Sequence, residues 1–205
     1  MDIEFNQSRQ AAHLSDEVVA WTATFASNMM DAGELAYLAA TLSVYPWDGT
    51  GIVVEIGAYR GSTTVFMAKV LQHAGHRVPI LSIDPFERVA RTPANPQGTY
   101  AAYLKTVRKH KVDDVCLPLV ALSKDAALVV PVAIGVLVVD GGHEYAVVSR
   151  DLHDYAPKVL PEGYIFVDDY VDAYPGVRRA VDEYFADARD FTIVHKSYFV
   201  LAQRR

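Results

Sequence analysis

A single cysteine, Cys116, in 205 residues excludes an internal disulfide framework. No stretch approaches the ~18 uninterrupted apolar residues of a membrane helix, and the N-terminus (MDIEFNQSRQ) lacks the basic start and apolar run of an export signal. A chain of this kind is expected to work in a reducing, cytoplasmic setting, away from membranes. Concentrated positive charge is also scarce. The one basic cluster, Arg108 to Lys111, reads as the solvated end of a helix, and the net charge is -6, so no broad face is available to a phosphate backbone. That argues against a dedicated nucleic-acid binder. What is plentiful is apolar content: at 51% hydrophobic, the chain can build a core for one ordinary globular domain without staples.

The negative charge is concentrated. Between residues 135 and 175, eight acids (Asp140, Glu144, Asp151, Asp154, Glu162, Asp168, Asp169, Asp172) face only Arg150 and Lys158, which accounts for the whole formal charge of -6.

Apolar positions Leu14, Val18, Trp21, Phe25 and then Leu35, Leu38, Leu42 recur at spacings of three and four, which predicts a helical extension over residues 1–48, its second helix opened by an Asp31/Glu34 capping box. This apolar stripe is expected either to cover a sheet or to form an interface between copies of the chain. From residue 49 onward, short Val/Ile-rich runs (51–56, 78–83, 115–119, 135–139, 164–167) alternate with amphipathic stretches, the pattern of a doubly wound, Rossmann-like, mostly parallel α/β sheet. A helix over 175–188 and a closing antiparallel hairpin, 191–195 with 198–203, complete the chain. Ligands of such sheets bind beyond the carboxyl ends of the strands. Each strand end here is polar or Gly-rich: Glu55 and Gly57, Asp84, Ser123, Asp140 and His143, Asp168 and Asp169.

The segment from Glu55 through Gly57, Ala58, Tyr59, Gly61, Ser62 and Thr63 is a strand, a turn with glycines four apart, and a helix start. Gly57 permits a tight turn, and the residues from Gly61 on offer free N–H groups and hydroxyls to an anionic ligand group. Tyr59 stands where the dinucleotide fingerprint has its middle glycine, and Glu55 would repel a pyrophosphate, which disfavours NAD. An acid beside an anion site suits a ligand carrying both ammonium and carboxylate. The pattern E-x-G-x-x-x-G-[ST] resembles the first motif of class I S-adenosylmethionine (SAM) dependent methyltransferases, in particular its catechol O-methyltransferase form. The resemblance implies that Asp84, followed by Pro85 and Phe86, holds the cofactor ribose, and that Ser123 lies at the adenine edge; a helix N-cap explains Ser123 equally well.

Three carboxylates, Asp140, Asp168 and Asp169, brought to one strand edge would repel unless a divalent cation neutralised them, and hard oxygen ligands suit Mg²⁺, Mn²⁺ or Ca²⁺. Metal-dependent catechol-type O-methyltransferases place an Asp after the fourth strand, a Lys base three positions on, and an Asp-Asn pair after the fifth. Here His143 occupies the base position and Asp169 the Asn position. The phrases Val139 to Tyr145, Arg150 to Leu152 and Gly163 to Tyr170 look more like the macrocin O-methyltransferase group (methyltransferase family 24), whose members methylate sugar hydroxyls on natural products; the resemblance covers about residues 50–200. It implies a small-molecule hydroxyl acceptor, Asp140 placed against both cofactor and metal, and His143 as general base, a role that an imidazole titrating near ~6.5 suits. Arg88 and Arg91, in the Pro-containing stretch between Glu87 and Tyr100, are candidates for an acceptor lid, and Tyr145, Tyr170 and Tyr174 either line an acceptor pocket or pack. Other readings are a NAD-dependent oxidoreductase and a non-catalytic SAM-binding regulatory module.

Overall fold

The computed structural model describes residues 1–5, 11–27, 29–86, 98–130 and 133–205. Two three-residue strands, β1 (Asp2–Glu4) and β2 (Ala11–His13), pair antiparallel before the first helices, α1 (Asp16–Phe25) and α2 (Ala32–Val44). The expected helical extension therefore starts with a hairpin. Its alternation, with Ile3, Phe5 and Ala12 inward, runs over too few residues to stand out as a period of two. Ser15 caps α1, and α2 carries the anticipated capping box: Asp31 accepts from the amides of Gly33 and Glu34 while Glu34 accepts from the amide of Asp31 at 2.6 Å.

The Val/Ile runs become β3 (Ile52–Ile56), β4 (Ile80–Asp84), β5 (Cys116–Val120), β6 (Ile134–Val139) and β7 (Val159–Val167), all parallel, closed by the antiparallel pair β8 (Phe191–Lys196) and β9 (Val200–Arg204). The spatial order is β5-β4-β3-β6-β7-β9-β8. From β3 the chain winds outward to β5 and then returns to β6 on the other side, so the crevice opens at the carboxyl ends of β3 and β6.

Helices cover both faces. On one lie the β1/β2 hairpin, α1, α2, α3 (Ser62–His73) and α4 (Gly98–Lys109); on the other lie α5 (Ser123–Ala126), α6 (Tyr145–Tyr155) and α7 (Pro175–Asp187). The stripe Leu14, Val18, Leu35, Leu38 and Leu42 is buried against the chain's own core, and Phe5 packs on Tyr164 of β7. The stripe thus covers the sheet, with its remaining members Trp21 and Phe25 packed against the same core and partly buried. Strand parity decides which core each side chain joins: Val53 and Glu55 point to the α3 face, Val54 and Ile56 to the α6 face.

Candidate active site

Gly57 holds the crevice together. It has φ +96°, a conformation that favours glycine, and a Cβ there would lie 1.9 Å from the carbonyl oxygen of Asp140. Main-chain bonds pin this approach: the Gly57 amide donates to Ile83 O, and the Asp140 amide donates to Ile56 O, each at 2.9 Å. Gly61, also left-handed, is the N-cap of α3, with the Tyr103 ring beneath it. The loop between is held by Asp84, whose Oδ2 accepts from the Tyr59 amide at 2.8 Å and whose Oδ1 accepts from the Phe86 amide. Tyr59 and Phe86 both have positive φ, so the two strand-end loops are strained and mutually braced.

A cavity of about 250 Å³ lies over these loops, lined by Gly57, Tyr59, Asp84, Pro85, Ser123 and Asp140 among others. Ala58, Gly61, Ser62, Thr63 and Phe86 shape its surroundings without lining it. Ser123 does not cap α5; Leu122 holds that position with no side-chain cap bond, so the N-cap explanation for Ser123 falls away.

Glu55 departs from expectation. Because its parity sends it to the α3 face, it is 1% exposed and lies behind the cavity instead of lining it. Its Oε2 accepts from the hydroxyls of Thr64 and Ser82, and Ser82 is bonded in turn by Tyr103. A direct contact with a ligand ammonium is replaced by a buried brace between β3, β4 and the helices above. Burial pushes the carboxyl up to about 7, against the pull of its two hydroxyl partners. The folded state therefore holds a proton that the unfolded chain releases near pH 4.5, and stability contributed by Glu55 is present below that pH and lost as pH rises to about 7. Glu55→Gln is expected to unfold like the parent at pH 4 and to exceed it by up to ~3 kcal/mol at pH 8 in urea titrations; equal stabilities at pH 8 would count against this burial cost.

At the other side of the crevice, the amide of Asp168 donates to Val139 O at 3.0 Å, joining the β6 and β7 ends. Asp168 is 3% exposed; its Oδ1 accepts from the Asp169 amide at 2.7 Å, and its Oδ2 has no hydrogen-bond partner among the described residues. Burial, then Asp140 and then Glu34 raise its carboxyl well above the usual range. Glu34, on α2, is a residue that sequence reasoning used only as a capping partner; no local signal shows that α2 carries it to the β7 end. Asp169 has φ +60°, and its Oδ2 lies 2.7 Å from His143 Nε2, while the His143 ring lies against that of Tyr174, centroids 3.9 Å apart and planes tilted by 33°. Among the described residues no group of three or more His, Cys, Asp or Glu side chains stands in position to hold a metal ion. The expected three-carboxylate cluster is thus corrected to Asp140 beside Asp168, with Asp169 turned by its left-handed backbone toward His143. The donor chemistry still suits a hard cation: buried carboxylates crowd one another, and an oxygen of Asp168 is unpartnered.

Of the tyrosines, Tyr145 donates to Glu183 and Tyr170 to Asp182, so both tie into α7, while Tyr174 touches His143. Arg88 and Arg91 lie outside the described residues. A further acid, Asp151 of α6, to which the sequence reading gives no site role, is 1% exposed and lines the cavity with Ser123.

A family model described as a methyltransferase domain, that of methyltransferase family 24, matches residues 54–170. No curated protein sequence matches the chain. Among solved structures, the O-methyltransferase NovP is similar with a TM-score of 0.69 at 23% identity, covering 85% of this chain and 80% of that one. TomG from Streptomyces achromogenes, an O-methyltransferase involved in tomaymycin synthesis and solved with SAM, gives 0.65 at 16% identity, covering 93% and 91%. An rRNA methylase from Streptococcus thermophilus gives 0.58 at 15%, covering 82% and 92%. At these identities the likeness is one of fold, and the family match favours a methyl-donor site over a nicotinamide one.

Proposed function

The chain belongs to methyltransferase family 24, and from that premise we propose that it transfers the methyl group of SAM to a hydroxyl of a small molecule, a sugar or other natural-product acceptor. One observation carries the reading: Asp140 lines both the crevice cavity and the acidic edge that holds Asp168, Asp169 and His143, so donor and acceptor sites share a wall. The names of NovP and TomG support an oxygen acceptor.

In this reading the loop from Gly57 to Thr63 and the N-terminus of α3 hold the methionine carboxylate, since the first amides of that helix are free to donate. Asp84 meets the ribose hydroxyls, Pro85 and Phe86 shape the loop behind it, and Ser123 marks the adenine end. Asp140 and Asp168 would hold a divalent cation such as Mg²⁺, which when bound lowers the pKa of a hydroxyl and fixes its oxygen. Asp169 accepts from His143 Nε2 and sets the ring, leaving Nδ1 to take the acceptor proton. Tyr174 packs against the imidazole and keeps it from swinging away. Methyl transfer then depends mainly on proximity and in-line orientation.

The test is transfer of label from methyl-labelled SAM across a panel of hydroxylated acceptors, with added Mg²⁺ and after chelation. Turnover that is lost on chelation and restored by Mg²⁺ is expected; turnover indifferent to chelator would remove the metal from the mechanism. A thermal shift with NAD but none with SAM would overturn the reading altogether.

A further inference from the structure

Outside the crevice, three polar side chains from two helices line up at the far end of α3. Ser15, the N-cap of α1, accepts the Val18 amide on its Oγ at 3.3 Å, and the same oxygen lies 3.0 Å from Nε2 of His73, the last residue of α3. On the other side of the ring, Nδ1 faces Glu17 Oε2 at 3.6 Å. An acid at Nδ1 favours the tautomer that carries its proton there, which leaves the Nε2 lone pair to accept from the Ser15 hydroxyl. Trp21 meets the imidazole edge-on, centroids 5.5 Å apart, and limits its swing. Hydroxyl, imidazole and carboxylate thus stand in the order of a nucleophile, its base and the group that orients the base, a constellation recognised by geometry and not by position in the chain. Capping α1 requires only the Ser15 oxygen and accounts for neither His73 nor Glu17.

A second serine-histidine contact shows what the third member adds. Ser197 Oγ lies 2.8 Å from His195 Nε2, but His195 Nδ1 has no hydrogen-bond partner among the described residues, so no acid orients that ring. We propose that Ser15 is an activated nucleophile that takes the acyl group of small activated esters or thioesters and hands it to water, an activity separate from methyl transfer. Ser15 Oγ attacks the donor carbonyl as its proton passes to His73 Nε2; the bond to the alcohol or thiol breaks, and that proton leaves with it. Water then attacks the Ser15 ester, its proton is taken by Nε2 and returned to Oγ, and the acid departs. The sum is ester plus water giving acid plus alcohol or thiol, with no change of oxidation state. Ser15 is half-buried and the His73 side chain is 35% exposed, so a small donor reaches both. The twelve residues of α3 span roughly 17 Å and separate His73 from Ser62 at the crevice end of that helix.

The experiment treats the full chain with p-nitrophenyl acetate, follows nitrophenolate release and locates acetyl groups by peptide mass spectrometry. A burst of about one nitrophenolate per chain is expected, with acetylation at Ser15 faster than at Ser197 by ~10-fold or more. His73→Ala should lower Ser15 acetylation by ~10²-fold or more, and added imidazole should restore part of it, which a merely structural histidine would not show. Glu17 acts through His73 as a positioning residue, so Glu17→Ala should slow acetylation by ~10-fold or more and move His73 toward the Nε2–H tautomer in nitrogen NMR. Acetylation no faster at Ser15 than at Ser197, acetylation that survives His73→Ala, or a tautomer unmoved by Glu17→Ala overturns the proposal. Should His73→Ala fail to fold, the comparison of Ser15 with Ser197 in the parent still decides.

Discussion

Gly57→Ala is expected to abolish SAM binding, with affinity down by at least ~50-fold, and to lower the melting temperature by ~10 °C. Two costs combine. A side chain at φ +96° is strained by about 1–3 kcal/mol, and its Cβ would overlap the main-chain carbonyl of Asp140 at 1.9 Å. Neither strand end can retreat, because the Gly57 and Asp140 amides are both committed across the β4-β3-β6 junction. Relief must come from moving the Asp140 loop, which lines the cavity and carries the acidic edge. About 3 kcal/mol in a domain of this size corresponds to the melting shift given. Gly75→Ala provides the control: Gly75 has φ +82° but nothing within 4 Å of its added Cβ, so it should lose only ~1 kcal/mol and bind SAM as before. If Gly57→Ala bound SAM as tightly as the parent in calorimetry, the close approach would not be what forms the site.

His143→Ala is the second large effect, expected to lower single-turnover methyl transfer by ~10²–10⁴-fold while SAM affinity stays within about twofold. The imidazole meets Asp169 and Tyr174, and His143 does not line the cofactor cavity, so the loss should fall on chemistry and not on donor binding. Folding should survive, since the side chain is 28% exposed and its backbone is held independently against the start of α7 near Gly176. Asp169→Asn, which keeps an oxygen but removes the charge beside Nε2, should lie between the two. Transfer by His143→Ala within about threefold of the parent would remove His143 as the base.

Much of this molecule was legible in the chain because the signals are local. Residues such as Val53, Val54 and Ile56 are apolar on both faces, and that is what a parallel strand covered by helices on both sides requires. Asp31 and Glu34 announced a helix start because a capping box is satisfied within four residues. The N-terminal hairpin escaped because two three-residue strands are made by their partner and by Phe5 packing on Tyr164, a contact spanning most of the sequence.

By itself, the sequence determined the doubly wound sheet, the gathering of Gly57, Asp84, Ser123, Asp140 and Asp168 at one edge of it, and the need for glycine at the crevice turn, since all of these follow from strand ends and backbone freedom. Only the tertiary structure decided what each acid faces. Parity turned Glu55 away from the cavity into a buried hydroxyl network, a left-handed backbone turned Asp169 toward His143, and helix packing brought Glu34 to Asp168 and Asp151 into the crevice wall. The reason is that composition and spacing place a carboxylate on an element, whereas its charge state and partner depend on which surfaces that element is packed against.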